Sequence, residues 1–118
     1  MKPKLLFIAG GVALLGIAVL VFEYRRRAEG AQLYREFGCG ACHGEQVEGS
    51  GRGPELRGLS AHWQSATLAT YLRDPAAARV SDERLRLLSQ RYFPLSMPAF
   101  EDLQEAHCRA LADYLLQH

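Results

Sequence analysis

The residues of this chain best suited to chemistry are gathered in one short run, Cys39-Gly40-Ala41-Cys42-His43. Two thiols three positions apart, followed at once by an imidazole, allow three chemistries. The pair can be a redox dithiol, or half of a tetrahedral zinc site completed by His43 and Cys108. As C-x-x-C-H it can also hold a c-type haem. In that case each sulfur forms a thioether to one vinyl group on the same porphyrin edge, and the adjacent imidazole turns under the ring to ligate iron. A redox dithiol of the thioredoxin kind calls for a βαβ setting, and the zinc site for a second ligand pair, and the sequence offers neither.

The elements that must position this run read as helices throughout. Ala31 to Phe37 places Leu33, Tyr34 and Phe37 on one side and ends at Gly38, a residue suited to a helix C-terminus. The glycine-rich stretch from Glu45 to Gly53 lacks apolar periodicity and reads as a loop. Ser65 to Arg73 carries Leu68, Ala69, Tyr71 and Leu72 at helical spacing, and Pro75 requires an end at or before Asp74. Ser81-Asp82-Glu83 can cap a further helix with Leu85, Leu87 and Leu88, running to about Gln90. Pro94 and Pro98 bracket an extended segment. A last helix, beginning between Asp102 and Gln104, has Leu103, Ala110, Leu111, Tyr114 and Leu115 as its apolar stripe. The expected fold is all-α, with about four short helices and a thin core that calls for a staple such as a cofactor.

Length allows one compact unit in 118 residues, but composition divides the chain in two. Leu5 to Phe22 contains no charge, and as a helix it would rise about 27 Å, close to the roughly 30 Å hydrocarbon thickness of a bilayer. A cleaved secretory signal is the rival reading. Signal cores run only about 7 to 15 residues, and here the flank Glu23-Tyr24-Arg25-Arg26-Arg27 follows with Ala28-Glu29-Gly30 the only small-residue candidate, so an anchor that stays is expected. Residues 1–27 are therefore read as membrane anchor and basic flank, with 5–22 in the bilayer, and 28–118 as one domain. Lys2 and Lys4 roughly balance the three arginines, so charge does not decide orientation. From Ala28 onward, nine arginines and no lysine face twelve carboxylates, a balance of −3 that argues against nucleic acid as a partner.

Residues 28–118 resemble the class I monohaem cytochromes c. The resemblance rests on Gly30, Tyr34 and Gly38 to Gly44 as first helix and attachment run, Gly53-Pro54-Glu55-Leu56 as a G-P-x-L loop, and Leu72-Arg73-Asp74-Pro75 as the end of a middle helix. Met97-Pro98-Ala99-Phe100 is similar to the segment offering an axial methionine, and Leu111 to Leu115 to the closing helix. The order along the chain agrees too. The resemblance implies one covalently attached haem c, with Cys39 and Cys42 as thioether residues, His43 as proximal ligand and Met97 as sixth ligand. A thioether on a proline-flanked segment can reach the far face and stabilises ferrous iron, and Met1 is the only other methionine. His62 and His107 are the rival imidazoles. By resemblance the carbonyl of Pro54 accepts the second ring N–H of His43 and holds it neutral and oriented.

Arg52, Arg57, Trp63 and Tyr71 are candidates to meet the haem propionates, since a buried carboxylate needs a donor or a cation. Gly30 and Tyr34 are expected where the first helix crosses the last, against Leu111 and Tyr114. Two positions depart from the family's usual pattern. Cys108, where an aliphatic residue is usual, reads as a small buried hydrophobe, and Gln104, where a Ser or Thr cap is usual, leaves the start of the last helix open.

With both axial positions filled by protein, the expected function is one-electron transfer without a small-molecule substrate, as a shuttle or a subunit of a respiratory complex. The alternative is a gas sensor or weak peroxidase if Met97 does not ligate. Expected partners are membrane-embedded or periplasmic redox proteins, with basic patches complementing the net-anionic domain. Covalent attachment on the outer side of the membrane, again by resemblance, puts the haem domain on the periplasmic or extracytoplasmic side of the cytoplasmic membrane.

Overall fold

A computed structural model describes residues 3–118; Met1 and Lys2, part of the basic N-terminal flank, lie outside the described residues. Among the described residues the chain forms six α-helices and one 3-10 turn, Leu59–Ala61, and no strand. The helix expected over 31–37 does not stand alone. Its residues 31–36 are the end of α1 (Pro3–Glu36), which runs from the apolar stretch into the rest of the fold without a break. The physical reason lies in Glu23 to Glu36, which is built mostly of Arg, Ala, Glu, Gln and Leu, all strong helix formers, with Gly30 the single weak position at about 1 kcal/mol.

Every residue from Leu5 to Phe22 is exposed, so this half of α1 packs against nothing in the chain. It is a candidate membrane span, with mean hydropathy 2.8 over its most apolar window.

Beyond Glu36 the backbone reverses at Gly38, whose φ of 68° is the left-handed conformation glycine adopts without cost. Cys39 N–H donates to the Tyr34 carbonyl at 3.1 Å across this turn. A single helical turn, α2 (Gly40–His43), follows. The loop after it is less open than its composition suggests. Val47 is fully buried with a φ of 57°, a strained conformation for a β-branched residue, and its carbonyl accepts from Leu56 N–H at 2.9 Å.

The helix α3 (Ser65–Arg73) has the expected bounds and buries Leu68, Ala69 and Leu72. The residue that ends it also starts another. Asp74 accepts from the Ala77 N–H at 3.0 Å, and Pro75 takes the first position of α4 (Pro75–Ser81). Asp82 then caps α5 (Glu83–Arg91) through the Leu85 N–H at 3.2 Å. The final helix, α6 (Glu105–Leu115), follows Gln104, which makes no side-chain cap. Leu103 is buried just outside it.

Two helix pairs hold the core, α1 against α6 and α3 against α6. Leu33 and Tyr34 of α1, Leu68 and Leu72 of α3, and Cys108, Leu111, Ala112 and Leu115 of α6 share one buried cluster. At about 1.5 to 3 kcal/mol for each large apolar side chain buried, this cluster supplies most of the driving force. Gly30 permits the α1–α6 crossing. A Cβ there would lie 2.6 Å from the Ala110 carbonyl oxygen and would collide with the Tyr114 side chain. The close neighbours of Gly30 are thus Ala110 and Tyr114.

Candidate functional site

The three pieces Cys39-x-x-Cys42-His43, the Pro54 loop and the Met97 segment meet at one cavity of about 1010 Å³. The turn at Gly38 and the one-turn α2 bring Cys39, Cys42 and His43 to its wall. Leu68, Tyr71 and Leu72 of α3, Leu85 and Leu88 of α5, and Leu115 of α6 line it with hydrocarbon. Such a volume is at the upper end of the roughly 300 to 1,000 Å³ of small-molecule pockets, and its mostly apolar lining suits a flat, greasy macrocycle.

The Nδ1 atom of His43 lies 2.8 Å from the Pro54 carbonyl oxygen. A carbonyl can only accept, so Nδ1 donates and Nε2 keeps its lone pair for a ligand role. Burial lowers the His43 pKa, against the opposite pull of this hydrogen bond, so the imidazole is held neutral. Burial likewise pushes the Cys39 thiol up to about 11, outweighing a hydrogen bond that favours the thiolate. The attachment turn is pinned from outside by Ser50, whose hydroxyl donates to the Cys42 carbonyl at 2.6 Å, and by Tyr34, whose hydroxyl donates to the Gly44 carbonyl at 2.6 Å.

Met97 lies on the extended segment after α5 and lines the same cavity, partly buried against the core. The segment is tied down where Phe100 N–H donates to the Leu72 carbonyl at 3.0 Å and its ring meets Phe37 edge-on at 5.5 Å. Of the rival imidazoles, His62 is exposed at the cavity mouth. His107 is outside the cavity, with Nε2 3.6 Å from a Glu29 carboxylate oxygen. Cys108 is fully buried on the far side of the core, its thiol facing the Leu103 carbonyl at 3.8 Å. No group of three or more His, Cys, Asp or Glu able to hold a metal forms among the described residues.

The four candidate propionate residues all line the cavity, but not alike. Trp63 and Tyr71 pack with ring centroids 5.1 Å apart and planes tilted by 54°. Arg57 pairs with Glu55 at 3.1 Å and is half exposed. Two cations the sequence had not singled out join the aromatic pair: the Arg84 guanidinium sits 5.3 Å from the Trp63 ring centroid, and Arg79 lies beside Tyr71. Burial raises the Tyr71 pKa, with Arg79 and Arg84 pulling it down. Five arginines, 52, 57, 79, 84 and 91, and two carboxylates, Glu55 and Glu83, line the cavity, and Arg84 also lies 3.4 Å from Asp82. The net-anionic balance of the domain therefore does not describe its cavity rim.

Arg79 and Val47 escaped the sequence reading for the same reason: each lies in a segment without apolar periodicity. The Asp74-Pro75 pair was the missed signal, since Asp followed by Pro at the first helical position starts a helix as readily as it ends one.

The donor set, the neutral imidazole with a free Nε2 and the apolar cavity fit a covalently attached haem. No curated protein and no solved structure matches the chain. The family model for cytochrome c matches residues 27–118. This match, spanning well over half of the sequence and containing every piece of the cavity, places the chain in the cytochrome c family, whose members carry covalently attached haem c and transfer electrons through it.

Proposed function

We propose that this chain relays single electrons at a membrane surface, through a haem bonded at Cys39 and Cys42 and ligated by His43 and Met97. When bound, the haem supplies a one-electron iron couple. The chain's residues do the rest. The Pro54 carbonyl orients the His43 ring, Leu68, Leu72, Leu85 and Leu115 exclude water, and Trp63, Tyr71, Arg79 and Arg84 offer the donors and charge that propionates need. With protein atoms on both axial positions no site remains for a substrate, so the chain is an electron carrier, either a shuttle or a subunit of a larger respiratory oxidoreductase.

Residues 1–27 serve as an uncleaved anchor, and 28–118 as the haem domain on the periplasmic or extracytoplasmic side of the cytoplasmic membrane. The observation that carries this reading is the convergence on one cavity of Cys39, Cys42, His43 and Met97, the last more than fifty residues away in sequence.

Expression with a working haem-attachment apparatus tests it. A red, membrane-retained protein is expected, with one haem per chain by pyridine haemochrome assay and a mass increased by one porphyrin. A colourless chain, or a haem that acid-acetone extracts, overturns the reading.

A further inference from the structure

Residues 23–30 lie between the apolar stretch and the helix expected from Ala31, and a flexible tether would have to be built from them. The structure has none. Helix α1 continues from Leu5, through the last apolar residue Phe22, to Glu36 at the attachment turn. Glu36 stands 14 residues beyond Phe22, about 21 Å along the helix at 1.5 Å per residue. The molecule accordingly measures 69 × 27 × 26 Å, a rod with the haem domain built around one end.

The same helix is locked to α6 on both sides of their crossing. Below it, about 6 Å past Phe22, Arg26 forms an ion pair with Asp113. At the crossing, Gly30 brings the backbones together so closely that no Cβ fits. Above it, Tyr34 packs on Tyr114 with ring centroids 5.8 Å apart and hydrogen-bonds Gly44 beside the attachment run. Bending the domain away from the anchor would break helical hydrogen bonds or part this interface. Neither happens in a flexible linker, where glycine and serine let the ends wander.

Resting on the membrane reading above, we propose that anchor and haem domain move as one rigid body, presenting the cavity rim at a single height and tilt to a redox partner embedded in the same bilayer. A soluble partner arrives at any height and in any orientation, and gains nothing from such a mount. An embedded partner holds its own electron site at a fixed distance from the same lipid plane. Lateral movement and rotation about the membrane normal are then the only searches left, and the ordering cost of docking falls accordingly.

The test uses the full-length haem-loaded chain and a variant with Gly-Ser-Gly-Ser inserted between Glu23 and Tyr24, which interrupts α1 while leaving every α1–α6 contact named above in place. Electron paramagnetic resonance of the ferric protein in oriented bilayer stacks reads haem tilt against the membrane normal. Strong angular dependence is expected for the parent chain, and its loss in the variant, with solution spectra unchanged. Oxidation by ferricyanide should be the same in both, while oxidation by native membranes should slow in the variant. An angle-independent spectrum from membrane-retained parent overturns the rigid mount alone. Unchanged oxidation by native membranes overturns the embedded partner. A parent chain that washes off bilayers at high pH overturns the membrane reading itself, and the mount with it.

Discussion

The ring of His43 and the carbonyl of Pro54, eleven residues apart, are joined at 2.8 Å, and the direction of that hydrogen bond decides which imidazole nitrogen is free. Gly53 makes the approach possible, since a Cβ on it would lie 3.0 Å from the Cys42 carbonyl oxygen and 3.2 Å from its Cβ. Gly53→Ala should therefore push the Pro54 loop off the attachment turn. The expected cost is about 1 to 3 kcal/mol of stability, with faster solvent exchange of the His43 ring N–H by proton NMR. A ring proton that exchanges no faster in the variant would show that this hydrogen bond does not depend on the close approach.

Met97 is the proposed sixth ligand. Met97→Ala should abolish the long-wavelength ferric absorption band of iron–thioether bonding and lower the reduction potential, because a methionine ligand raises it. The variant should also bind added carbon monoxide in the ferrous state, which the parent should not. An unaltered ferric spectrum would give the position to another residue, with His62 at the cavity mouth the first to examine.

Gly30→Ala sets two effects against each other. Alanine gains up to about 1 kcal/mol of helix propensity. Against this stands the collision with Tyr114 and the Ala110 carbonyl, and overpacking of this kind costs typically 1 to 3 kcal/mol. The collision should win, lowering the thermal midpoint of the haem-loaded protein in detergent. Asp113→Asn, which removes only a partly exposed ion pair, should cost about 1 kcal/mol or less.

Tyr34 is the group whose ionisation should appear in stability at alkaline pH. Burial first, then nearby acidic groups, raise its pKa well above the ordinary 10.0. The folded state thus favours the neutral phenol, and the unfolded chain loses the proton first. This contribution is complete below about pH 10 and is lost progressively as pH rises from there toward the raised folded value. Tyr34→Phe should cost about 1 kcal/mol at neutral pH by removing the hydrogen bond to Gly44, and denaturant titrations above pH 10 should show a shallower decline than the parent's.

Cys108 should be inert. It is fully buried, and burial raises its pKa. With Cys39 and Cys42 bonded to haem, iodoacetamide should label nothing in the folded protein and one thiol after denaturation. Labelling of the folded chain would mean that α6 opens locally.

The attachment run, the long apolar helix, α3 and the all-helical class were legible in the residues, because each is written locally. A C-x-x-C-H motif, an uncharged stretch and a 3.6-residue period need no knowledge of the rest of the chain. The burial of Cys108 was legible too, since by resemblance it stands where an aliphatic residue is usual. Helix α4 is hidden in the sequence because Pro75 reads as a stop, whereas with Asp74 it also forms a start.

Tertiary structure decided the remainder. The seating of α1 on α6 depends on Gly30, Tyr34 and Arg26 meeting residues about eighty positions further along the chain. The choice of Arg79 and Arg84 beside Trp63 and Tyr71 depends on how the α4–α5 pair folds back over the cavity. Burial of Val47 in a strained backbone is likewise set by what surrounds it. The division has one physical cause: helix formation and motif spacing are governed by neighbours along the chain, whereas packing and the local balance of charge are governed by neighbours in space.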